Sequence, residues 1–117
     1  MLKERLQSFI ERDPELFEKL KIHRELLIQI RRVYEAFNSK RNELMILDLS
    51  VAISKYNSLL REDLEDNMLR INDLKSAALS VKRAYESTPQ PLHITMNVLV
   101  EILRDLNNLI YDSTEPE

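Results

Sequence analysis

Residues 87–102 read Ser-Thr-Pro-Gln-Pro-Leu-His-Ile-Thr-Met-Asn-Val-Leu-Val-Glu-Ile, and how they are taken decides the fold. Proline removes a backbone donor and pushes its predecessor toward extended conformations, so Pro89 and Pro91 must end whatever helix precedes them. Beyond the prolines, Leu92, Ile94, Met96, Val98, Val100 and Ile102 alternate strictly, the pattern of a half-buried strand. Met96, Leu99, Val100, Leu103, Leu106 and Ile110 equally fit one face of a helix. An isolated strand has no ladder to join, so a complete chain favours the helix and a piece of a larger protein favours the strand.

Working back from this joint, the chain is made for helices. Leu64, Met68, Ile71, Leu74, Ala78, Val81 and Tyr85 form one apolar stripe. Glu62, Asp63, Glu65 and Asp66 open it and Lys82 and Arg83 close it, as the helix dipole favours. Residues 44–53 (Leu-Met-Ile-Leu-Asp-Leu-Ser-Val-Ala-Ile) are apolar around most of a helix, which predicts the most buried element, packed between its neighbours, with Asp48 its polar exception and its end near Tyr56-Asn57-Ser58. Leu47 and Val51 are expected inside it. Asp13-Pro14-Glu15 reads as a helix start, with Asp as cap and Pro in the first turn. The helix it opens carries Leu16, Leu20, Leu27, Ile30, Tyr34 and Phe37 on one stripe, with His23 on the same face and a break at Asn38-Ser39. Leu2, Leu6, Phe9 and Ile10 suggest a shorter helical block before it. The expected class is all-α, a bundle of four to five helices in which segment 92–112 is either a further helix or the start of a small β-rich domain. The corresponding division is 1–86 helical, 87–91 linker and 92–117 C-terminal segment.

Composition removes most chemistries. The 117 residues hold no glycine, cysteine or tryptophan. Phosphate loops and dinucleotide fingerprints need glycine where backbone takes positive φ or approaches a phosphate, so they have nothing to be built from. Without cysteine there are no disulfides and no thiolate metal sites, as suits a reducing compartment. With 44% hydrophobic and 32% charged residues the chain suits a folded core, and no apolar run approaches the ~20 residues of a membrane helix. The charged N-terminus lacks the apolar stretch of a signal peptide, which predicts an intracellular protein, cytoplasmic or, in a eukaryote, nuclear. A net charge of -3 argues against general nucleic-acid affinity.

Candidate sites are few. His23 and His93 have neither a second histidine four residues away nor a carboxylate three residues before, so the common helical metal pairings are missing and no metal or cofactor is expected. The acidic residues 62–66 read as solvated charge. Serines lack a recognisable histidine partner, which leaves nucleophilic catalysis unsupported and an enzyme unexpected. The stretch from Lys19 to Arg41 carries seven basic residues against Glu25 and Glu35, a formal +5 that could meet nucleic acid or an acidic protein surface.

The order of elements resembles a subunit of the GINS DNA-replication complex, of the class with its helical A domain first and a small β-rich B domain after it. The resemblance lies in a long helix carrying Tyr34 and Arg41, the buried 44–53 block, an acid-opened helix from Leu60 to Tyr85, a proline linker, and the segment Val100-Glu-Ile-Leu-Arg-Asp-Leu-Asn-Asn-Leu-Ile-Tyr-Asp112. Leu103-Arg104-Asp105 is similar to the hydrophobic, basic, aspartate step after that family's first B-domain strand. The resemblance covers roughly residues 24–112. It implies a non-enzymatic subunit of a homo- or hetero-oligomer that bridges the MCM helicase to a RecJ-like partner alongside other GINS-type subunits, and a chain that stops short of the remaining B-domain strands. Interfaces rest on a few arginine and aromatic anchors, which puts Arg31, Arg32, Tyr34, Phe37 and Arg41 forward on the first long helix and Leu103, Arg104 and Asp105 on the second half. The alternative is a free-standing helical-bundle adaptor or small regulator, homodimeric.

Overall fold

The computed structural model describes residues 9–37, 39–89 and 92–114. Four helices account for most of them: α1 (Pro14–Ala36), α2 (Glu43–Leu59), α3 (Ile71–Glu86) and α4 (His93–Thr114). Two three-residue strands, β1 (Phe9–Glu11) and β2 (Met68–Arg70), pair antiparallel with Ile10 opposite Leu69. The fold is an all-α bundle with this ribbon at one end.

Local chemistry sets the boundaries. The Asp13 carboxylate accepts from the Leu16 amide at 2.8 Å and Pro14 occupies the first turn, so α1 begins where the sequence predicts. It ends at Ala36, and Ser39 then caps a single 3-10 turn, Lys40–Asn42, with its side chain on the Arg41 amide. The buried Asn42 amide donates to the Tyr34 carbonyl at 3.0 Å, which satisfies an acceptor at the end of α1 and fixes the corner into α2. Asp48 has a partner too: the Ser87 hydroxyl donates to it at 2.8 Å, joining the start of α2 to the end of α3.

The packing runs in series, α1 on α2, α2 on α3, α3 on α4. α3 fits between two neighbours because its inward positions include the small residues Ala77, Ala78, Ser80 and Ala84 beside Leu74 and Val81. One continuous core joins Leu20 and Leu27 of α1, Leu49 and Tyr56 of α2, Leu74 of α3, and Leu99, Ile102 and Leu106 of α4. Segment 92–112 is therefore helical from His93 on, and its inward side belongs to the shared core.

Several expectations are corrected here. The apolar run 44–53 is not buried all round: Met45, Leu49, Ala52 and Ile53 face inward, whereas Leu44, Leu47 and Val51 are exposed, Leu47 by 59%. Among the described residues α2 packs on α1 and α3 and leaves its third side exposed, and an evenly apolar helix has no periodicity to say which side that is. It also continues to Leu59, past Tyr56-Asn57-Ser58. The acid-opened helix does not begin at Leu60 or Leu64. Asp66 and Asn67 take φ of 55° and 54°, the left-handed region that asparagine and aspartate enter most easily among residues with a side chain, and this interrupts the helix until Ile71. Glu62, Asp63, Glu65 and Asp66 consequently lie in the connection before it, with Asp63 paired to Arg61 at 2.8 Å. Phe9 and Ile10 belong to a strand; Leu2 and Leu6 lie outside the described residues.

The ribbon is fixed by Arg12. Its guanidinium is buried, donating to the Leu59 carbonyl at 2.6 Å and to the Asn67 side chain at 3.2 Å, with its Cζ 4.8 Å from the centre of the Phe17 ring. Leu59 closes α2, so the cation sits on the negative end of that helix dipole. This holds the left-handed Asn67 and the chain before α1 against the core.

Candidate functional site

α1 and α4 are the two ends of the series and meet at few places. Between them runs a groove of about 710 Å³. Its walls include Ile22 and Leu26 from α1 and Val98 and Val100 from α4; Ile22 is 57% exposed. Leucine-sized apolar side chains held in a concave surface are the ordinary composition of a docking groove. Glu15, Glu18 and Lys19 border it on α1, and Glu101, Arg104 and Asp105 on α4.

At the floor a hydrogen-bonded chain crosses three helices. His23 Nε2 lies 2.9 Å from Asp105 Oδ2, and His23 Nδ1 lies 2.9 Å from the Tyr56 hydroxyl. The carboxylate can only accept, so Nε2 carries the proton and Nδ1 receives the phenolic O–H, a tautomer assigned from the network. Burial, first, lowers the His23 pKa from 6.5, against the opposing pull of Asp105. Burial, with the Asp105 charge second, raises that of Tyr56, which stays a phenol and a donor. The rings of His23 and Tyr56 also meet edge to face, 5.7 Å apart. A hydroxyl, an imidazole and an aspartate in sequence have the outline of a catalytic relay, but here the hydroxyl end is the sealed one. Tyr56 has no exposed surface, whereas Asp105 and an edge of the otherwise buried His23 line the groove. The chain acts as a polar tie among α1, α2 and α4.

The residues proposed from sequence are not brought to one place. Tyr34 is fully buried, edge to face with Phe37 at 5.8 Å, so Tyr34 serves the core and only Phe37, half exposed, offers surface. Arg31 is half-buried, its Nε 3.2 Å from Glu35, while Arg32 and Arg41 are exposed. Leu103 lines a second groove, between α3 and α4, of about 590 Å³ with Leu79, Tyr85 and Ile110. Arg104 and Asp105 border the α1–α4 groove. His23 and Tyr56 were missed as partners. The available signal was His23 on the apolar stripe of α1, since an imidazole so placed needs hydrogen-bond partners.

Among the described residues no group of three or more His, Cys, Asp or Glu could hold a metal ion, and no helix is long and apolar enough to cross a membrane. Compared with known proteins, the chain matches no family model, no curated protein and no solved structure.

Proposed function

We propose that this chain is a non-catalytic protein-interaction module, a helical-bundle adaptor whose working surface is the groove between α1 and α4. The observation that carries this reading is that Ile22, Leu26, Val98 and Val100 remain accessible in one concavity although the bundle around it is closed by packing. A helix laid into such a groove buries an apolar face at i, i+3 and i+4 spacing, a recurrent mode of recognition. The helical state of 93–114 supports the adaptor over a GINS-type replication subunit, since that resemblance takes the start of this segment as a strand of a separate small domain.

The test is a selection of amphipathic helical peptides from a displayed library against the whole protein, with Ile22→Asp and Val100→Asp as counter-targets. Binders specific to the groove are expected to lose at least about tenfold in affinity on either variant, about 1.4 kcal/mol. Ile22 and Val100 are both exposed and neither belongs to the core, so the variants should melt close to the parent protein. A selection that yields no binders, or binders indifferent to both variants, refutes the reading.

A further inference from the structure

Taking the α1–α4 groove as the working surface, and so resting on that reading, we infer that its occupant is a cationic amphipathic helix of another protein, apolar on the side laid into the groove and rich in lysine or arginine along its margins. The rim carries the argument. Glu15, Glu18, Glu101 and Asp105 stand there against Lys19 and Arg104, four acids to two bases. His23 is held neutral by burial and adds no positive charge, so the Asp105 carboxylate counts with the acids. Each base has an acid one turn before it on its own helix, Glu15 before Lys19 and Glu101 before Arg104, so the bases find opposite charge within the rim and the surplus is negative. Glu18 meets Lys21 at 3.5 Å, but both side chains are exposed and water screens such a pair, which leaves the carboxylate open to a second cation.

The carboxylates are spread along the groove. β1 pairs with β2 and Arg12 holds the Leu59 carbonyl, so α1 and α3 start, and α2 ends, at the ribbon. The short 87–92 connection then starts α4 at the far end, antiparallel to α1. From the His23–Asp105 contact, Glu15 lies eight residues back along α1, about 12 Å toward the ribbon, and Glu101 four residues back along α4, about 6 Å the other way. Acidic side chains therefore border about 18 Å of groove, the length of a helix of about twelve residues. Leu26, Val98 and Val100 gather toward the far end, and Glu15, Glu18 and Lys19 toward the ribbon. A matching helix has its apolar anchors grouped toward one end and its bases running on past them.

The second groove separates the effect of charge from that of apolar lining. Between α3 and α4, Leu79, Leu103 and Tyr85 line a cavity of about 590 Å³ whose rim carries Lys75 and Lys82 against Glu86, the opposite balance. Low-dielectric walls focus the field of the charges beside them, so a cationic helix is drawn to the α1–α4 groove and turned away from the α3–α4 one. An anionic helix is sorted the other way.

The experiment selects, against the full chain, displayed helical peptides of about sixteen residues with apolar residues fixed at i, i+3, i+4 and i+7 and Lys or Glu at equal odds on the flanking positions. Binders that lose affinity on Ile22→Asp are the groove binders, and they are expected to carry lysine over glutamate on their flanks. A synthetic copy of one is then titrated at about 0.05 M and about 0.3 M salt against two charge reversals. Glu15→Lys with Glu101→Lys turns the rim to two acids and four bases. Glu62→Lys with Glu65→Lys makes the same change in net charge in the connection before α3, away from the groove. All four side chains are exposed, so circular dichroism should be unchanged. The rim reversal is expected to weaken binding at least about tenfold at the lower salt and less at the higher, while the remote reversal leaves it within about twofold. Groove binders with no excess of lysine, or with an excess of glutamate, overturn the inference and leave the adaptor reading standing. Equal losses on the two reversals also overturn it, as attraction to the charge of the whole chain. So do lysine-rich binders lost on Leu79→Asp but not on Ile22→Asp, which belong to the α3–α4 groove. A parent chain that dimerises below about a hundred micromolar in sedimentation velocity, and that Ile22→Asp returns to monomer, makes a second copy the occupant and overturns it as well. A selection with no binders lost on Ile22→Asp refutes the adaptor reading itself, and the inference with it.

Discussion

Leu106→Ala tests whether α4 is a structural member of the bundle. Leu106 has no exposed surface and shares a core with Leu99 and Ile102 of its own helix and with the inward residues of the other three. Cutting a buried leucine to alanine costs about 2–5 kcal/mol, the upper part of that range applying where the surroundings cannot collapse into the space. Here α3 is already fitted closely through alanines on its inward side, so little relaxation is open to it. We take about 3 kcal/mol. For 117 residues at ~2.1 cal/mol/K each, the unfolding entropy is about 0.25 kcal/mol/K, and the melting temperature should fall by about 12 °C. Leu99 lies seven residues away, about 10 Å along the helix, far enough for the two losses to add. The double variant Leu99→Ala/Leu106→Ala then loses about 6 kcal/mol against a total of ~5–15 for a domain of this kind, and should be largely unfolded at room temperature or close to it. Thermal melting followed by far-ultraviolet circular dichroism measures both. A single variant within about 2 °C of the parent, with a double variant that still melts cooperatively, would refute the placement of α4 in the core.

Two further outcomes follow from the same structure. Leu49 and Leu47 are two residues apart on α2, buried and 59% exposed respectively, so Leu49→Ala should cost about 2–5 kcal/mol by denaturant titration and Leu47→Ala no more than about 0.5, with equal losses contradicting the assigned orientation of the helix. His23 is held below its ordinary pKa of 6.5, so the unfolded chain takes up the proton first as pH falls; stability is complete above about 6.5 and declines from there down to the folded-state pKa, and a difference in melting between the parent and His23→Gln that is flat from about pH 7 to 5 would contradict the buried, neutral imidazole.

What could be read from the residues alone tracks the range of the forces involved. The start of α1 was legible because Asp13 and Pro14 act within one turn. The stripe of α1 was legible because periodicity is local, and five of its six apolar members are buried, Phe37 being the exception at the frayed end. α3 was legible from Ile71 onward but not at its start, because what stops it is nonlocal: β2 pairs with β1 and Arg12 binds Asn67, contacts between residues 55 or more positions apart. α2 was recognisable as a helix without its orientation, since an apolar run of nearly uniform hydropathy bears no mark of which side meets solvent. The ambiguity of 92–102 is of another kind. Ile94 and Val100 sit on the alternating pattern yet are exposed, while Leu99 sits off it and is fully buried; the helix is decided by Leu99, Ile102 and Leu106 together, and Leu106 lies beyond the stretch that alternates.

The candidate site was the least legible part, and the reason lies in how a serial bundle is built. Helices packed one after another satisfy each other's stripes pairwise, and each pairing leaves a trace in the sequence as an apolar face. The first and last helices have no partner beyond them, and whether they close on each other depends on the widths of everything between. In this chain the small residues of α3 let α2 and α4 each pack closely on it, while the polar tie of His23, Asp105 and Tyr56 joins α1 to α4 and α2 at hydrogen-bond distance. His23 and Asp105 are 82 residues apart, and the Leu103-Arg104-Asp105 step that put Asp105 forward gives no sign that it pairs with His23. An apolar tie at those positions would gain from drawing the two helices together and excluding water. A hydrogen-bonded one fixes a separation instead, because its donors and acceptors are satisfied only at 2.9 Å and a closer approach would strand the buried phenol. The groove therefore follows from a polar spacer at the one place where the bundle would otherwise shut, and the apolar residues that stay accessible above it, Ile22 and Leu26 facing Val98, are the ones that closure would have buried.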